Sequence, residues 1–80
     1  MKDVVVYTTQ SCPYCHAAKR LLSSKKVSFT EIDVTGDDAM REKLVAMSGG
    51  RETVPQIFVG GKSIGGYDDL VRFYEKGGTI

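Results

Sequence analysis

Two cysteines stand three positions apart in the run Cys12-Pro13-Tyr14-Cys15, and the chain has no others. A disulfide that closes so small a loop constrains the unfolded chain little, because the entropic gain grows with loop length. In a chain that reads as cytosolic, such a pair points to redox chemistry or to metal binding. Cys12 follows an apolar strand-like run and opens a helix-like one. Unpaired backbone N–H groups and the positive end of the helix dipole favour an ionised sulfur there, and the thiolate is the nucleophile. Cys15, one helical turn further in, is expected to be more buried and less ionised, with its sulfur able to reach that of Cys12. The first cysteine then attacks a disulfide and the second resolves the mixed disulfide that forms. Pro13 fixes the backbone just after the nucleophile and removes one N–H that would otherwise approach its sulfur.

Two other chemistries compete for these residues. Structural zinc takes about four ligands, whereas the chain offers two cysteines and a single histidine, His16. Cys12-Pro-Tyr-Cys15-His16 also spells the attachment pattern of a c-type haem, with His16 as axial ligand. That chemistry belongs to exported proteins, and Met1-Lys2-Asp3 followed by Val4-Val5-Val6 is too short and too acidic for a signal peptide. The start reads instead as that of a mature cytosolic protein, and His16 as a helix residue beside the site.

The elements that must position the cysteines follow from periodicity. Val4–Thr8 is a β-branched and aromatic run, expected as a central strand buried on both faces. Pro13 suits a first helical position, and Tyr14, Ala17, Ala18, Leu21 and Leu22 recur at helical spacing up to Lys25 and Lys26. Residues 27–34 read as a second strand, and its polar content (Ser28, Thr30, Glu31, Asp33) suggests a sheet edge. Gly36-Asp37-Asp38 opens a second helix with Met40, Leu44 and Met47 as its apolar stripe, ended by Gly49-Gly50. After a loop through Arg51-Glu52-Thr53-Val54-Pro55, residues 56–59 and 62–64 form two short strands joined by Gly60-Gly61. A third helix spans 67–76, with Leu70, Phe73 and Tyr74 on one side, Asp68 and Asp69 in its first turn and Gly77 as its stop. The order is β-α-β-α-β-β-α, an α/β class, with a parallel right-handed first unit and an antiparallel last pair.

Eighty residues make one domain, 1–80. With 11 Lys and Arg against 10 Asp and Glu, the net charge of +1 argues against a nucleic-acid partner. No apolar run nears the roughly 18 residues that cross a bilayer.

Cys12-Pro-Tyr-Cys15, Thr53-Val54-Pro55 and Gly65-Gly66-Tyr67-Asp68-Asp69 occur in the order and spacing of glutaredoxins. The chain resembles a dithiol glutaredoxin of the short bacterial type over essentially its whole length. The resemblance implies a thioredoxin-like fold, with a four-stranded mixed sheet of order 2-1-3-4 and three helices. It implies a cytoplasmic, monomeric enzyme that reduces glutathione mixed disulfides and protein disulfides, with glutathione as co-substrate and no tightly bound cofactor. Cys12 matches the nucleophile and Cys15 the resolving cysteine. Tyr14 matches an aromatic residue that lines the glutathione groove, and Pro55 a cis-proline that leaves the Val54 N–H and C=O free to pair with the glutathione backbone. Thr53 belongs to the same loop. Gly66, Tyr67 and Asp68 match the γ-glutamyl end, where the helix N-terminus meets a carboxylate and Asp68 an ammonium. Arg41 and Arg51 fall where the glycine carboxylate is met, or are solvated surface charges. Asp69 is assigned to the helix N-terminus alone. Many relatives carry a lysine three residues before the nucleophile, and here that position is Thr9.

Two other activities remain open on the same residues. One is an iron–sulfur carrier, two chains sharing a cluster held by Cys12 and two glutathiones. The other is an electron donor reduced by thioredoxin reductase.

Overall fold

Chain segments rich in β-branched residues alternate with helical ones, and a single sheet collects the strands. The structure, a computed structural model, describes residues 3–51 and 53–78. Met1 and Lys2 of the expected start, Glu52 of the loop, and positions 79 and 80 of the expected domain lie outside the described residues. The order is β1 (Val4–Thr8), α1 (Pro13–Ser24), β2 (Thr30–Asp33), α2 (Asp38–Met47), β3 (Gln56–Val59), β4 (Lys62–Gly65) and α3 (Tyr67–Glu75). The sheet runs β2-β1-β3-β4. β1 pairs with β2 in parallel, Val5 opposite Thr30, and with β3 antiparallel, Val6 opposite Ile57. β3 and β4 form an antiparallel hairpin whose register slips between Ile57 and Phe58, which sets Gly65 opposite Ile57. Gly60 and Gly61 turn it with φ of 59° and 82°, the left-handed backbone that a tight two-residue hairpin needs.

Val4, Val6, Ala18, Leu22, Ile57 and Leu70 form the core between the sheet and the helices α1 and α3, with Val27, Phe29, Ile64 and Tyr74 packed around it. The other face is only partly covered. α2 seats Leu44, but Met47 is 47% exposed. An opening of about 420 Å³ remains, lined by Asp3, Val5, Tyr7, Met47, Phe58 and Gly61. The expectation that β1 is buried on both faces is therefore corrected: Val4, Val6 and Thr8 are buried, while Val5 and Tyr7 are half-buried. β2 is shorter than expected, because Val27 and Phe29 pack on the core without joining the ladder. Tyr14, read at helical spacing with the apolar residues, is 63% exposed. β4 runs one residue further than expected and α3 ends one earlier, at Glu75.

Two loops at the C-terminal ends of β1 and β2 are tied together. Val34 N–H donates to Thr8 O at 2.8 Å, and Gln10 N–H to Thr35 Oγ1 at 2.9 Å. The tie fixes the segment that carries Cys12.

Candidate active site

The cysteines are built into the first turn of α1. Cys12 is the N-cap, with φ of −121° and ψ of 99°, and its sulfur does what a capping oxygen does in other helices: it accepts the Cys15 N–H at 3.1 Å. Pro13 occupies the first helical position, where its missing N–H has no helical partner to lose. Cys12 Sγ also donates to Val54 O at 3.6 Å. The sulfur is thus placed by a helix N–H on one side and by the loop before β3 on the other.

The cysteines are unbridged and differ in access. Cys12 is 8% exposed and Cys15 1%. Burial is the main reason that the Cys15 thiol is pushed up to about 12, with a hydrogen bond to Cys12 adding to it. The backbone of Thr9 and the charge of Lys19 pull the other way. Cys15 is thus the more buried of the two, as its place one turn further into the helix led one to expect.

A cavity of about 320 Å³ lies beside Cys12. Tyr14, Arg51, Thr53, Val54, Pro55, Gly66, Tyr67, Asp68 and Asp69 line it. The rings of Tyr14 and Tyr67 lie 6.1 Å apart at a tilt of 33° and form one wall. The Val54–Pro55 bond is cis. The Val54 carbonyl, expected to be free, is approached by the Cys12 thiol as described above. Gln56, fully buried, donates from Nε2 to Thr53 O at 2.6 Å and pins the loop from below. Among the described residues no group of three or more His, Cys, Asp and Glu could hold a metal ion, and no helix is long and apolar enough to cross a membrane.

Residues 4–64 match the glutaredoxin family pattern. Glutaredoxin 3 of Escherichia coli strain K12 is 53% identical over 78 residues, which cover 98% of this chain and 93% of the relative. The chain belongs to the glutaredoxin family. Glutaredoxin 1 of Rickettsia prowazekii is 44% identical over 96% of this chain and 82% of its own. Among solved structures, the buckwheat glutaredoxin–glutathione complex superimposes with a TM-score of 0.88 at 30% identity, covering 95% of this chain and 71% of that one. Glutaredoxin from Brucella melitensis superimposes at 0.84 with 44% identity, covering 96% and 83%. This chain is thus a glutaredoxin-type thiol–disulfide oxidoreductase, and its two cysteines stand three residues apart at the start of α1, Cys12 as the cap and Cys15 buried behind it.

The two arginines of this glutaredoxin part company. Arg51 lines the cavity, but its guanidinium Nη1 is 2.8 Å from Asp69 Oδ2. Asp69 in turn accepts the Gly66 N–H at 3.0 Å and holds the start of α3. Arg41 lines a neighbouring cavity of about 460 Å³ between α2 and the loop, which shares Arg51, Thr53 and Val54 with the first. Asp68 is exposed and, among the described residues, in no ion pair. Sequence reasoning did not single out Thr8, Lys19, Glu31 or Gln56. Thr8, Lys19 and Glu31 act through partners on other elements and Gln56 through the loop just before it, and no motif announces either.

Proposed function

We propose that this glutaredoxin uses glutathione as its co-substrate and reduces glutathione mixed disulfides and protein disulfides. The observation that carries the reading is the Cys12 sulfur 3.6 Å from the carbonyl of Val54, a wall residue of a groove that also holds Tyr14, Tyr67 and Asp68. An extended tripeptide has N–H and C=O groups to pair with Val54, as an added strand does. Its γ-glutamyl ammonium would meet Asp68, its α-carboxylate the N–H groups at the start of α3 beside Gly66 and Tyr67, and its glycine carboxylate Arg51, with Arg41 one cavity further out. The glutathione complex of the buckwheat relative supports the reading.

The chemistry is two thiol–disulfide exchanges. The Cys12 thiolate attacks the glutathione sulfur of a mixed disulfide, the other thiolate leaves and takes a proton, and glutathione stays on Cys12. A second glutathione thiolate then attacks the bound glutathione sulfur and releases glutathione disulfide. Alternatively, Cys15 attacks Cys12 Sγ, expels glutathione thiolate and closes the Cys12–Cys15 disulfide, which two further glutathiones reduce. The chain would work as one cytoplasmic, monomeric domain with no tightly bound cofactor.

A coupled assay with glutathione, glutathione reductase, NADPH and a small glutathione mixed disulfide tests this. Cys12→Ser should lose turnover, while Cys15→Ser should keep deglutathionylation and lose most reduction of protein disulfides. An active Cys12→Ser variant, or wild-type turnover that runs on thioredoxin reductase and not on glutathione, would overturn the reading.

A further inference from the structure

Cys15 must ionise before it can resolve a mixed disulfide, and its burial opposes that. Three side chains from three elements are joined by hydrogen bonds, and one of them lies a helical turn from Cys15. Lys19 lies one helical turn beyond Cys15, at the i,i+4 spacing that puts both on one face of α1, and its charge is close enough to favour the Cys15 thiolate. Glu31, on β2, accepts Lys19 Nζ at 2.9 Å and Thr8 Oγ1 at 2.8 Å on the same oxygen. Thr8, at the end of β1, is 2% exposed. A buried hydroxyl therefore fixes a carboxylate, and the carboxylate fixes an ammonium that would otherwise swing on a flexible stem.

The remaining groups around Cys15 are few. Cys12 on the same helix disfavours its ionisation, and the Thr9 backbone favours it. Asp33 on β2 feels Lys19 as well. His16 and Arg20 line a cavity that Cys12 itself borders, with Gln10, Ser11 and Pro13. Lys19 is thus the cation on the same helix face whose charge favours the Cys15 thiolate.

We propose that Lys19, held by Glu31 and Thr8, is the positioning residue of the resolving step: its ammonium sets how readily the Cys15 sulfur attacks Cys12. The proposal rests on the dithiol reading above. In the step concerned, Cys15 gives its proton to solvent, its sulfur bonds to Cys12 Sγ, the Cys12–glutathione bond breaks, and glutathione leaves as a thiolate that is protonated. The two cysteines are oxidised by two electrons and the disulfide first captured is reduced by two.

Single-turnover mixing with a glutathione disulfide of a chromophoric thiol separates the two steps. Colour reports capture by Cys12, and mass spectrometry of acid-quenched samples reports loss of the glutathione adduct as Cys15 resolves it. Between pH 6 and 9, the ratio of resolving to capture rate should fall about three- to tenfold in Lys19→Gln. The line of log resolving rate against pH should move to higher pH, and Lys19→Arg should restore it. A ratio unchanged in Lys19→Gln, both rates falling together, or no recovery with arginine would overturn the proposal. Absence of capture in the wild-type protein would overturn the dithiol reading and this proposal with it.

Discussion

At the scale of residues, two neighbouring acids show how position divides identical chemistry. Asp69 is turned back on its own helix. The Gly66 N–H, then Arg51, hold its carboxyl below the usual carboxylate range. Gly65 lies against it, with φ of 107° and no room for a β-carbon between its backbone and the Asp69 side chain. Asp68 is exposed and, among the described residues, in no ion pair; the proposed function gives it the ligand's ammonium. The two should therefore separate on substitution. Asp69→Ala removes a cap and should lower unfolding stability by about 1–2 kcal/mol. Asp68→Ala should leave stability within about 0.5 kcal/mol while raising KM for a glutathione mixed disulfide about tenfold, the cost of one charge-assisted hydrogen bond. Urea titrations and steady-state kinetics on both variants check the split. The helix-cap role of Asp69 was legible in the sequence, because a first-turn acid has an obvious structural use. The pairing of Arg51 with that same acid was not, since it joins positions 18 apart across a loop.

At the scale of elements, helix ends are where this chain differs most from an idealised one. α1 begins on a sulfur cap and ends in a double hydrogen-bond closure. Val27 N–H returns to Leu22 O at 3.0 Å and Lys26 N–H to Ser23 O at 3.0 Å, the pairing of a helix that stops on a left-handed residue. That residue is Lys26, at φ of 59°. A side chain in this conformation costs about 1–2 kcal/mol relative to the right-handed region, a cost glycine avoids. Lys26→Gly should raise stability by about 0.5–1 kcal/mol after the larger unfolded-state entropy of glycine is counted, seen as a rise of a few degrees in Tm. A fall in Tm would show that the lysine stem packs usefully on α3, where the Lys25 ammonium already lies 5.2 Å from the centre of the Tyr74 ring. Glycine pairs at 49–50, 60–61 and 65–66 made the element boundaries legible, because each marks a backbone that few other residues take. β2 was overextended because Val27 and Phe29 carry a strand's composition and a core's burial without a ladder partner. Periodicity does not distinguish those two uses of an apolar residue.

At the scale of the whole molecule, the titrating groups set a window of stability that the redox state should narrow or widen. On the acid side, Glu31 is held low by Lys19 and then Thr8, and Asp69 by Gly66 and then Arg51. A depressed native carboxyl contributes stability above its unfolded value and loses it as pH falls through the native one, so the protein should weaken below about pH 4. On the alkaline side the sign reverses. Burial pushes the Cys15 thiol up to about 12 in the native state from its ordinary 9.0, and raises Tyr74 as well. The native state then holds these protons more tightly than the unfolded chain. The Cys15 contribution is complete below the unfolded value and is lost as pH climbs from 9.0 toward 12, and Tyr74 adds in the same direction. Closing the Cys12–Cys15 disulfide removes the Cys15 proton and its share of that loss. Urea midpoints of the reduced protein should therefore fall between pH 8.5 and 10.5 more steeply than those of the oxidised protein, and Cys15→Ser should follow the shallower curve. Parallel curves for all three would mean that the Cys15 thiol is not held in its protonated form by the fold. The resolving sulfur would then need no cation beside it, and the positions of Lys19, Glu31 and Thr8 would have only a structural meaning.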